Sequence, residues 1–282
     1  MHSDDRGTVD DSLHLTIEEQ SPSFGFRRRP PMSRRKRVLL SLGIVTVALV
    51  TYLWLFGIQT VFVLEAHYAA RQLPFLKQTP VGLTDLSVSQ ALGMKLSYFG
   101  YEFESPWIDI DNEKTKIVGG NKVLITFRSG NVFMLWSAPP HEFMNGVLTQ
   151  MKIDRTRFRK IYGDGVLDSD YRFARLILDT TPNRMSILAT RERDVSQDML
   201  LIVKAISVPG NPQSGIFEVE GKELKGFQYG RPQNPSGHVN VELFPEGGHL
   251  DLFFEQKTNG NTPISQADIN RIVQTIHKAD GR

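Results

Sequence analysis

The chain has 282 residues, with 33 basic and 31 acidic side chains, 40% hydrophobic residues and no cysteine. That length allows one sizeable domain or two small ones, and the missing cysteine excludes disulfides, thiol nucleophiles and a lipid-modified cysteine. Eight basic and six acidic residues precede Val38, which leaves 25 of each beyond it, so the basic excess belongs to the N-terminal flank and no nucleic-acid partner is expected.

Residues 1–37 read as a cytoplasmic tail, acidic before Phe24 and then basic, with no apolar period, and are expected to be disordered. A short linear motif for a cytoplasmic partner would be at home there. Residues 38–64 follow without one charge, and twenty-seven residues at ~1.5 Å rise exceed a ~30 Å hydrocarbon core. They predict a transmembrane helix that tilts or projects at one end. Arg27, Arg28, Arg29, Arg34, Arg35, Lys36 and Arg37 lie before it and the first basic residue after it is Arg71, so these seven set the topology, with the N-terminus in the cytoplasm. The apolar run is nearly twice a signal peptide's, and Ala66, Ala69 and Ala70 make a poor cleavage site, so the reading is a signal-anchor. Ser33-Arg34-Arg35 has some likeness to a twin-arginine signal, but Arg37 and Val38 do not fit that pattern. The absence of cysteine and of a usable glycosylation sequon (Asn234 precedes proline) favours a bacterial cytoplasmic membrane protein with its C-terminal domain outside.

Residues 65–80 predict a stalk, helical to Leu73 and stopped by Pro74. Residues 81–282 predict the extracytoplasmic domain. Leu96, Tyr98, Tyr101 and Phe103 alternate about Gly100, as in a kinked or bulged strand before Pro106-Trp107. "KVLITF" and "NVFMLWS" flank Arg128-Ser129-Gly130 as a β-hairpin. Pro139-Pro140 opens a helix with Phe143, Met144, Val147, Leu148 and Met151 on one face, and a second helix runs from Ser169 to before Pro182. "DMLLIVKAISV" fits either a helix capped by Ser196 or a buried strand. "GIFEVE", "ELKGFQYG", "HVNVELF" and "HLDLFFEQ" predict strands, the last two an antiparallel hairpin across Pro245–Gly248 with one buried face. A final helix starts at Ser265, with Asp268 completing a capping box, Ile264 stapling to Ile269, and a stripe of Ile269, Ile272, Val273 and Ile276.

This order predicts an α+β fold, an antiparallel sheet covered by helices. A strand leading into "YEFESPW", a helical middle, a meander and a C-terminal helix resemble the PsbP/Mog1-type sandwich over roughly Leu96 to His277, although the helical middle here is long. The resemblance implies an α/β/α sandwich, in a group whose roles include photosystem assembly and small-GTPase binding, and it carries no functional residue over.

No Gly-x-Ser-x-Gly elbow, Walker loop or His-Glu-x-x-His helix occurs, and no residue is assigned as catalytic, cofactor-binding or metal-ligating. His238 and His249 with Glu242 and Asp251 would make a metal site if they faced one another across the hairpin; exposed strand-end histidines are the ordinary reading. Asp109, Asp111 and Glu113, and Asp164, Asp168 and Asp170, lack the spacing of a calcium loop and read as turn carboxylates, with Asp168 an N-cap. Lys152, Arg155, Arg157, Arg159 and Lys160 surround Phe158 and offer contact to lipid headgroups or an acidic protein partner; a polar helix end is the alternative. Two functional classes are expected: a membrane-anchored interaction or assembly module without evident catalysis, or a membrane-anchored hydrolase or metal-dependent enzyme. An unpaired sheet edge would favour the first and a pocket of perturbed acids and histidines the second.

Overall fold

The structure is a computed structural model that describes residues 34–185, 191–209, 215–232, 238–246, 248–256 and 263–279. The expected tail disorder and the Asn234 segment lie outside the described residues. The chain divides into two units, Met1–Leu49 and Val50–Arg282.

In the first unit, residues 34–49 are helical, and the side chains from Ser41 to Leu49 are exposed. They belong to α1 (Arg34–Gln72), the one helix among the described residues long and apolar enough to cross a membrane. It begins four residues before Val38, since arginine and lysine are good helix formers, and it ends before Pro74, which lacks the N–H a helix needs.

The second unit contains an eight-stranded sheet in the order β1 (Val81–Gly82), β7 (Ile216–Glu220), β8 (Lys225–Tyr229), β9 (His238–Phe244), β10 (His249–Gln256), β6 (Asn131–Ala138), β5 (Lys122–Thr126), β4 (Lys116–Val118). All pairs are antiparallel except β1 with β7. A smaller sheet is ordered β11 (His277–Lys278), β3 (Tyr101–Ser105), β2 (Met94–Tyr98). Here the expected kinked strand is instead a hairpin. Phe99 and Gly100 both have positive φ, 52° and 77°, the conformation of a two-residue turn whose twist matches its strands.

Strand alternation gives the large sheet two different faces. On one, Val239, Val241 and Leu243 meet Leu250, Leu252 and Phe254, all essentially fully buried, and α6 (Gln266–Thr275) covers them with Ile269, Ile272 and Val273. Full burial of each such side chain contributes ~1.5–3 kcal/mol. The Ser265–Asp268 capping box fixes where α6 starts. The other face carries α2 (Glu142–Gln150), α3 (Arg155–Tyr162), α4 (Asp170–Asp179) and α5 (Arg191–Ser207). The run of either reading is therefore helical, and Ser196 lies inside α5 rather than at its start. Gly226 on β8 is required by close approach, because a Cβ there would collide with the Glu242 carbonyl oxygen.

The end of α1 is part of this second face. Gln59, Val63, Ala66 and Ala70, spaced four, three and four residues apart, form a buried stripe. Val63, Ala66 and Ala70 share a core with Phe75, Leu76, Leu178 and Phe227. Packing thus starts at Gln59, within the predicted span, and the stalk is no free tether. Val38–Ile58 remains, 21 residues or about 31 Å of helix, close to one hydrocarbon thickness.

Lys204 on α5 clasps this junction. Its fully buried Nζ donates to the carbonyls of Gln78 (2.7 Å), Leu178 (2.6 Å) and Thr180 (2.9 Å). Leu178 and Thr180 are among the orphan carbonyls at the C-terminus of α4, where a cation also meets the negative end of the helix dipole. Burial pushes the amine down to about 8, with Asp179 opposing and Arg184 reinforcing the shift, so it is still charged at neutral pH.

Candidate functional site

On the face that carries α2 to α5, the register sets Lys122, Trp136, Asp251, Glu242 and Phe227 directly opposite one another, strand to strand, in one row. Asp251 and Glu242 are therefore neighbours on β10 and β9, where like charges disfavour each other. Burial, then the Asp251 charge, raises the Glu242 pKa to about 7, against the opposing pull of His249 and of Tyr229. The Tyr229 hydroxyl donates to Glu242 Oε2 at 2.7 Å. Its own pKa is held well above the usual phenol value, by burial and then by the Glu242 charge.

His249, two residues before Asp251, shares this face. Its ring stacks on Phe244 (centroids 4.8 Å, planes 3° apart) and meets Trp136 at 6.2 Å and Phe143 at 5.8 Å. Burial lowers the imidazole pKa, but Asp251, Glu242 and Asp170 outweigh it, and the net direction is upward. Nε2 lies 3.1 Å from Asp251 Oδ1. By geometry it is nevertheless buried without a hydrogen-bond partner. Glu242 and Asp251 line a cavity of about 440 Å³ with Trp136, Asn240, Ser207 and Pro209. The arrangement can hold a cation, or hold and release a proton at Glu242.

Of the four residues considered at the hairpin, Glu242, His249 and Asp251 come together and His238 does not. Each histidine begins its strand, and in an antiparallel pair the two strand starts lie at opposite ends. His238 stands opposite Glu255, six residues or about 20 Å along β10 from His249. Tyr229, Trp136 and Lys204 were not singled out by sequence; a lone lysine in the apolar run "DMLLIVKAISV" was the one available signal.

Asp109, Asp111, Asp168 and Asp170 serve turns and helix starts. Asp109 accepts from the Ser129 N–H at 2.6 Å, and Asp111 pairs with Lys114 at 2.7 Å. Asp168 pairs with Arg172 at 3.2 Å, while the cap of α4 is Ser169. Asp170 is buried and accepts from His141 N (2.7 Å) and Met144 N (3.1 Å) at the start of α2. Lys152, Arg155, Arg157, Arg159 and Lys160 are all exposed, the last four on α3. This helix has its own N-cap, Asp154, and buries Phe158, so the segment is a separate helix rather than the polar end of α2.

No family model, curated protein or solved structure matches the chain.

Proposed function

We propose that this chain is a single-pass protein of the bacterial cytoplasmic membrane, with its N-terminus in the cytoplasm, whose C-terminal domain acts outside the membrane as an interaction or assembly module. The observation that carries this reading is the buried stripe Gln59, Val63, Ala66 and Ala70. A flexible tether suffices for an enzyme acting on diffusing substrates. An anchor whose last turns are built into the core, next to a segment clasped by Lys204, instead suits a module that works with partners in or beside the bilayer. Strand β4, at the sheet edge among the described residues, exposes Ile117 and Val118 and also supports this reading. The antiparallel sheet with helices on both faces supports the resemblance to the PsbP/Mog1 group, where assembly and partner binding occur.

The test is in-cell cross-linking and affinity capture of full-length protein, against a variant with a flexible Gly-Ser insertion after Ile58. A recurring partner captured by the parent and lost on insertion, with domain unfolding unchanged, is the expected result. No recurring partner, or capture indifferent to the insertion, contradicts it.

A second reading, a metal-dependent hydrolase, is favoured by the opposed Glu242 and Asp251 beside His249. It predicts ester or phosphoester hydrolysis that requires added metal and disappears in Asp251→Asn.

A further inference from the structure

We propose that Glu242, His249 and Asp251 bind a divalent transition cation of the zinc class, with an open coordination position toward the cavity beside β9 and β10. Among the described residues these three form a group whose ligand atoms all lie within 4.8 Å of one another. Around a tetrahedral zinc at ~2.1 Å, ligand atoms stand about 3.4 Å apart, so small side-chain rotations close the set.

The ring nitrogen of His249 supplies an independent observation. The residue is 4% exposed and its Nε2 has no hydrogen-bond partner, although Asp251 Oδ1 is only 3.1 Å away. A donor and its acceptor would be collinear. Two ligands of one metal stand close to each other without being hydrogen-bonded, which is the relation found here.

The surroundings fit as well. A doubly charged ion beside two opposed carboxylates converts their repulsion into attraction. Phe244, Trp136 and Phe143 lock the imidazole ring, and the Tyr229 hydroxyl orients the Glu242 carboxylate, as outer partners of metal ligands do. One nitrogen with two carboxylate oxygens suits zinc or manganese. Calcium requires six to eight oxygens, and magnesium an octahedron of oxygens. Glu242 and Asp251 line the cavity, which gives an ion a route in and room for a further ligand. This assignment goes beyond the module reading and requires no catalysis.

The test uses full-length protein in detergent, stripped with chelator and dialysed against Zn²⁺ alone or Mn²⁺ alone, with Ca²⁺ and Mg²⁺ in parallel. The expected result is about one equivalent of Zn²⁺ or Mn²⁺ bound at micromolar Kd, a raised Tm, and at least tenfold weaker binding in Asp251→Asn and in His249→Phe. Asp251 is on the accessible cavity wall with its side chain 28% exposed, so its variant retains a cooperative melt and decides the matter if His249→Phe does not fold. Absence of zinc and manganese binding, binding unchanged in Asp251→Asn (as from His2 and His14 in the tail), or preference for calcium or magnesium overturns the assignment.

Discussion

The Lys204 ammonium reaches 2.7 Å to the carbonyl of Gln78, the residue that closes the turn after α1, and so ties the segment that follows the anchor to α5 in the domain core. Its remaining strong bonds go to Leu178 and Thr180 at the end of α4. Three chain segments thus converge on one buried cation. Lys204→Met leaves those carbonyls without their donor, and the expected loss is about 1–2 kcal/mol at pH 7, read from denaturant unfolding. An unchanged midpoint contradicts the clasp.

The pH dependence of the same lysine has a definite sign. Its folded pKa, about 8, is below the unfolded value near 10.5, so between these the unfolded chain binds the extra proton. The titration-linked part of the lysine's contribution, which adds to that of its hydrogen bonds, is fully present above about 10.5 and is lost as pH falls to about 8. The stability gap between parent and Lys204→Met should therefore widen with rising pH, by on the order of 2 kcal/mol from pH 8 to 10. A gap that is flat or narrows over that window shows that the folded and unfolded pKa values do not differ this way.

Gly226 offers a sharper test of the sheet. Its missing Cβ makes room for the Glu242 backbone carbonyl, which no rotamer change can move. Gly226→Ala should cost upwards of about 3 kcal/mol, as overpacking against backbone does at its worst. It should also perturb Glu242, one strand away. A variant within about 0.5 kcal/mol of the parent would show that β8 and β9 are not so close.

What the sequence made legible was local. The Ser265–Asp268 cap and the alternation across residues 238–256 depend on neighbours a few positions apart, and both stand as expected. α3 was hidden because its charged residues surround a single buried Phe158 and give no stripe. The hairpin at Phe99-Gly100 was hidden because a non-glycine residue takes a positive φ. The candidate site was only half visible: Glu242, His249 and Asp251 are near in sequence, but Trp136 and Tyr229 join them through the registers of β6 with β10 and β8 with β9, which no local pattern reports.

The cations of α3 give a lipid prediction. In full-length protein labelled at Thr156→Cys in nanodiscs, a headgroup-borne quencher should dim the label more as anionic lipid increases and less as salt increases. Each exposed cation near an anionic surface contributes ~1 kcal/mol, so Arg155, Arg157 and Arg159 together changed to Gln should weaken docking by about a hundredfold. Quenching that ignores salt and these substitutions contradicts headgroup contact.

The membrane topology underlies the whole account, and the cysteine-free sequence makes it directly measurable. Single cysteines at Ser21→Cys in the tail and Asn112→Cys on the domain surface are exposed to a membrane-impermeant maleimide in intact bacterial cells whose outer envelope admits it. The account predicts labelling of position 112 before lysis and of position 21 only after it. Labelling of position 21 in intact cells with position 112 protected, or protection of both until lysis, would contradict it.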